Sequence, residues 1–219
     1  MKAGLTLIGP REREQHFYLK PEHRCYYWGE YTPWNYTKGR ANDFSETNRL
    51  ISDSKLPMEV REVTTEWERK SKAILRISEA FAGFWRWRDL ANKSILVPMP
   101  TSKCLDDPLY DDRMERVVSG IAALANTPLN AAPLIALDGS LKPSHSSDQR
   151  PKPQDIVRSI RIDRSAMPFE TPEMVFLFDD VLTTGAHFVA CATQIHQLYP
   201  NARVIGNFIA RTRRPEPDE

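Results

Sequence analysis

Between Met174 and His187, five apolar residues run directly into two adjacent aspartates, Asp179 and Asp180, and then into the turn Thr183-Thr184-Gly185. The apolar run reads as a buried strand, and the stretch from Phe188 to Ile195 behind the turn reads as a helix. Carboxylates at a strand tip carry a desolvation cost that a ligand relieves. Two side by side can accept short, charge-assisted hydrogen bonds from neighbouring hydroxyls, such as those of a sugar ring. A turn that opens a helix presents N–H groups without intrahelical partners, and these attract an anion. Gly185 lets the backbone approach that anion with no Cβ between them. The segment therefore suits a phosphorylated sugar.

The rest of the chain places this segment in an α/β fold. Strands are expected at residues 24–32, 94–98, 131–137, 156–162, 174–178 and 202–210. Helices are expected from Ser45, over 66–90, over 113–125 and from the turn to about Tyr199. Strands alternating with helices predict a mainly parallel, twisted sheet with helices on both faces. Trp85 and Trp87 read as core or edge packing, with a base-stacking platform as the alternative. The polar tract from Asp138 to about Gln154 is long enough to imply a functional loop. Residues 1–65 read as an accessory or hood segment, 66–212 as the main domain and 213–219 as a frayed tail.

With 219 residues, 41% of them hydrophobic, and a formal charge of +1, the chain can bury a core unaided and has no bulk charge that argues for nucleic acid. No apolar stretch approaches the ~20 residues that span a bilayer, and the N-terminal apolar run is too short for a secretory signal. Cys25, Cys104 and Cys191 lie far apart, as expected of reduced thiols in a cytoplasmic protein with neither a disulfide framework nor a zinc site.

The string from Val175 to His187 closely resembles the 5-phosphoribosyl-1-pyrophosphate (PRPP) motif of type I phosphoribosyltransferases. That motif has four hydrophobic residues, two acids, two hydrophobic residues, Thr-Thr-Gly, any residue, and then Thr or Ser. Only His187 departs from it. The resemblance implies that Asp179 and Asp180 bind the ribose hydroxyls and favour a cationic transition state. It also implies that Thr183, Thr184, Gly185, Ala186 and His187 hold the 5-phosphate. Pro100, Thr101, Ser102 and Lys103, after the strand at 94–98, look like the pyrophosphate loop. In the long loop, Arg150 and then Lys152 are the candidate cations to close over the leaving group, and His145 is a lesser candidate as a general acid or base. The order of segments from Ser94 to Thr212 is similar to ComF-like proteins, although their four-cysteine zinc ribbon is absent. Their Arg-Gly-Phe-Asn-Gln-like stretch is replaced here by residues 107–113, whose acids are expected to pair with Arg113 and Arg116 on a solvated face.

The activity so implied is Mg²⁺-dependent transfer of the phosphoribosyl group from PRPP to a nitrogen acceptor, with release of pyrophosphate. No residue is marked as the acceptor's base and none as a dedicated metal ligand. The aromatic segment 26–34 is the candidate acceptor wall. Pairing with a second copy of the chain is left open, and no membrane or nucleic-acid partner is indicated. A second reading is a non-catalytic module of the same fold that senses PRPP or a nucleotide. A phosphatase of the haloacid dehalogenase type fits poorly, because its acids are separated by a spacer.

Overall fold

The apolar run becomes an interior strand of a six-stranded sheet, where both neighbours and both faces are protein. The computed structural model describes residues 1, 3–140, 151–168 and 170–215. In chain order the elements are β1 (Thr6–Leu7), α1 (Pro10–Arg13), β2 (Arg24–Tyr31), α2 (Glu46–Ser54), α3 (Thr64–Phe84) and α4 (Trp87–Leu90). There follow β3 (Ser94–Pro98), α5 (Arg113–Leu124), β4 (Asn130–Ala131), β5 (Ile135–Leu137), α6 (Pro153–Ser159), β6 (Ile160–Ile162), β7 (Met174–Leu182), α7 (Ala186–Leu198) and β8 (Arg203–Thr212). The sheet order is β1-β2-β8-β7-β3-β4, with every pair parallel except β1–β2. β5 and β6 form a separate antiparallel pair.

Side-chain alternation along the strands divides the core in two. Ile95, Val97, Val175 and Leu177 pack with Phe188, Cys191 and Ile195 of α7 on one face. Leu96, Phe176 and Phe178 pack with Ile77 and Phe81 of α3 and Val117 and Ile121 of α5 on the other. From β3 the chain steps through α5 to β4, toward one edge. From β7 it steps through α7 to β8, toward the opposite edge. Two crossovers of one hand that travel in opposite directions place their helices on opposite faces. Their divergence opens a crevice at the carboxyl ends of β3 and β7, the position where open α/β sheets bind ligands.

The sheet is thus α/β and mainly parallel with helices on both faces, as the sequence predicts, but four local expectations change. The helix expected over 66–90 stops at Phe84, and Trp85 is extended. That break lets both indoles pack on Phe176 while their N–H groups find acceptors, Asn207 Oδ1 at 3.0 Å for Trp85 and the Phe81 carbonyl at 3.3 Å for Trp87. The expected strand 131–137 is split between two sheets around Pro133, which has no N–H to give a ladder. Of the expected strand 156–162 only 160–162 is strand, while 156–159 end a helix that begins at Pro153, where the missing N–H costs nothing. The last strand, expected to end at residue 210, continues through Arg211 and Thr212, both buried. Ser45 caps α2 as its sequence implies, accepting from Asn48 N at 3.0 Å. β2, from the segment expected to be accessory, lies inside the main sheet beside β8. Among the described residues no helix is long and apolar enough to cross a membrane.

One buried cation ties the α2–α3 connection to the approach to α5. Lys70 has no solvent exposure, and its Nζ donates to the Ser54 carbonyl (3.0 Å), the Leu56 carbonyl (2.8 Å) and Asp111 (2.9 and 3.0 Å). Burial lowers its pKa, and the Asp111 carboxylate opposes that shift. Lys70→Met leaves two carbonyls without a donor and Asp111 with one cation fewer. The expected cost is about 2–4 kcal/mol, read as a lower urea midpoint with an unchanged slope.

Candidate functional site

β7 runs on to Leu182, beyond the expected end at residue 178, and its alternation sends the two adjacent carboxylates in different directions. Asp179 turns to the α7 side, where its Oδ2 lies 3.3 Å from His187 Nδ1 and its Oδ1 accepts from Asp180 N at 2.8 Å. Asp180 meets two cations. Lys55 Nζ lies 2.9 Å from its Oδ1, and Arg113 Nε donates to its Oδ2 at 3.0 Å, with Arg113 Nη2 on the same oxygen. The Val181 N–H also donates to Oδ1, at 2.6 Å. Asp180 is only 5% exposed. Burial alone pushes its pKa up, but Lys55 and Arg113 outweigh this and hold it well below the usual carboxylate range.

The turn behind the strand is held from the N-terminal segment. His16, fully buried, donates from Nδ1 to the Thr183 carbonyl, and Tyr18 N donates to the Thr184 carbonyl at 3.1 Å. In a planar trans peptide the N–H opposes the C=O. With those carbonyls engaged by residues 16–18, the Thr184 and Gly185 N–H groups are directed to the opposite side. Gly185 has φ +87°, and a Cβ there meets Leu19 Cγ at 2.8 Å, so both its conformation and its packing call for glycine. Gln15 and Arg214 exchange two bonds, Nε2 to the Arg214 carbonyl (3.0 Å) and Arg214 N to Oε1 (2.9 Å), which ties the segment after β8 to the segment that grips the turn.

A cavity of about 240 Å³ opens at the divergence of β3 and β7. Its wall includes Pro100, Thr101 and Ser102 after β3, Asp179 and Asp180 at the end of β7, and Thr183, Gly185 and His187 of the turn, with Lys55 and Arg113 beside them. Segments far apart in sequence are therefore brought to one place. Thr101 is 9% exposed, and neither its Oγ1 nor His187 Nε2 has a hydrogen-bond partner among the described residues. Buried polar atoms of this kind usually have one.

Other expected site residues stand differently. Thr184 is buried, its Oγ1 accepting from Ala186 N at 3.3 Å, so these two stabilise the turn from within rather than line the cavity. Lys103 faces away, toward Asp107 at 3.3 Å, and lines a neighbouring cavity of about 210 Å³. Lys152 sits at the N-cap of α6 and is not in the cavity wall. Arg150 and His145 lie outside the described residues. Tyr27 and Trp28, expected in an acceptor wall, are core residues because β2 is an interior strand. Asp111, expected on a solvated face, is clasped between Lys70 and Arg113, the latter at 2.7 Å. Arg116 instead stacks over Trp67. Lys55 and His16 carry no local sequence signal, since both reach the site through tertiary packing. Arg113 stands out in sequence only as a neighbour of acids.

Among the described residues no group of three His, Cys, Asp or Glu side chains could hold a metal ion. The carboxylate nearest to the role, Asp180, has both oxygens committed to cations, so this donor set does not suit Mg²⁺ as a resident ion. Compared with known proteins, the chain matches no family model, and no curated protein matches it.

His16 gives a pH test of the turn's anchorage. Burial, with smaller contributions from Arg211 and Arg214, pulls its pKa down to about 4 against the opposing bond to Thr183. The unfolded chain takes up the proton near 6.5, so this group's contribution to stability is complete above that pH. It declines as pH falls toward 4, by roughly 3 kcal/mol in all. Thermal melts between pH 7.5 and 4.5 are expected to show a steeper loss in the wild type than in His16→Gln.

Proposed function

We propose that the chain binds PRPP in this cavity and transfers its phosphoribosyl group to a nitrogen acceptor, as a type I phosphoribosyltransferase-like protein. One observation carries the reading. The turn with outward N–H groups, the acidic strand end and the hydroxyl-bearing loop after β3 line a single cavity at the sheet's switch point. The 5-phosphate sits on the Thr183–His187 turn at the start of α7. The ribose hydroxyls lie against Asp179, and the pyrophosphate points toward Thr101 and Ser102.

In the reaction, the bond from C1 to the pyrophosphate oxygen breaks and a bond from C1 to the acceptor nitrogen forms. Positive charge gathers on the ring and negative charge on the departing group. Fixed charges already in place stabilise such a transition state without reorganising. Asp179 serves the ring, while Lys55 and Arg113 serve the pyrophosphate. Asp180, saturated by those two cations and a backbone N–H, positions them rather than binding the sugar itself. That saturation also favours a second reading, a module that binds PRPP or a nucleotide without turnover, since only one carboxylate is left to support the cationic ring.

Calorimetry with PRPP is the direct test. Asp179→Asn is expected to weaken binding about tenfold or more, as loss of a charge-assisted bond does. Equal affinity in both proteins overturns the assignment. Pyrophosphate release with any nitrogen base distinguishes enzyme from sensor.

His187 replaces the hydroxyl of the motif and adds a pH dependence. Burial lowers its pKa, but Cys191 and Asp179 raise it further, so that it stands well above the ordinary value. The imidazolium form favours a phosphate. Affinity for a 5-phosphorylated ligand is expected to fall as pH rises through that raised pKa, and the same titration with His187→Thr is expected to be flat over that range.

A further inference from the structure

We propose that the site takes the diphosphate end of its ligand on Lys55 and Arg113 directly, without a divalent cation, with Asp180 as their shared counter-ion. This inference rests on the PRPP reading for the ligand's sugar end. Both cations line the cavity beside Thr101 and Ser102, where the leaving group is placed. They come from outside the motif, Lys55 from the residue after α2 and Arg113 from the first residue of α5.

Charge and coordination point the same way. Lys55 and Arg113 both face Asp180, and Lys70 and Arg113 both face Asp111, so each of these two carboxylates meets two cations. Asp179, the third carboxylate here, has His187 Nδ1 at 3.3 Å. A divalent cation on Asp180 must therefore displace Lys55 or Arg113 from it. A polyanion meets the opposite situation. Lys55, with 40% of its side chain exposed, can turn from Asp180 to a phosphoryl oxygen while staying near the same carboxylate. Arg113 keeps Asp180 and Asp111 and still presents charge to both adjoining cavities, whose common wall also includes Thr101 and Ser102. The unpartnered Thr101 hydroxyl supplies a hydrogen bond in that wall.

The test is calorimetry with inorganic pyrophosphate and with PRPP, each in EDTA and in excess Mg²⁺, on the wild type and on Lys55→Gln. Both ligands are expected to bind in EDTA within about threefold of their affinity in Mg²⁺, and Lys55→Gln is expected to weaken both about tenfold. Arg113→Gln should weaken them further, but it takes one of two cations from both Asp111 and Asp180. Lys55→Gln, checked by thermal melting, therefore carries the result. Binding that requires Mg²⁺, or wild-type affinity in Lys55→Gln, overturns the inference. PRPP bound only with Mg²⁺ leaves the PRPP reading standing and removes this one. Pyrophosphate bound in EDTA through Lys55, with PRPP no tighter, keeps the cation assignment and removes the ribose reading. No binding of either ligand removes both.

Discussion

A strand sealed on both faces cannot carry two adjacent carboxylates without a separate answer for each, because neighbouring side chains leave on opposite sides. That constraint governs the centre of this molecule. On one side the answer is an imidazole from the helix that follows the strand. On the other it is a lysine and an arginine drawn from two different helices. The second answer is the more demanding, since a buried ion pair repays its desolvation only when its remaining valences are satisfied. The network meets that condition by extension. Arg113 reaches Asp111, and Asp111 reaches Lys70, which in turn holds the backbone between α2 and α3. The polar centre and the packing of one whole face are parts of a single arrangement.

The same network explains what could be read from the chain before its fold was known. The apolar run, the acids and the glycine turn announce themselves because strand, charge and positive φ each have a local signature. The alternation of strands and helices likewise predicts the parallel sheet. What stayed hidden was the company those groups keep. Lys55 follows an amphipathic helix as an ordinary surface lysine would. His16 lies in a charged stretch with no periodicity, yet it ends fully buried against the turn. Adjacent acids suggested a pair that grips one ligand together. Alternation divides them, and that is a property of the strand rather than of the motif.

The errors in secondary structure have a common physical source. Residues 156–162 are apolar enough for a strand, but Pro153 and Asp155 begin a helix whose buried face meets α7, and only 160–162 remain strand. The helix over 66–90 continues by pattern, yet two indoles that each need an acceptor end it early. In both places the tertiary neighbour overrode the local preference. The aromatic segment at 26–28 is a related case. Its composition suits a ligand wall as well as it suits a strand, and only the pairing of β2 with β8 assigns Tyr27 and Trp28 to the interior.

The reciprocal bonds between Gln15 and Arg214 sit one residue from His16 and two from the end of β8. Through them, the place where the last strand leaves the sheet is mechanically linked to the amides of the turn, although the two are distant along the chain. Proteolytic nicking after Thr212, or a rigid fusion joined there, therefore acts as a remote disturbance of the turn's geometry rather than a neutral change at the periphery.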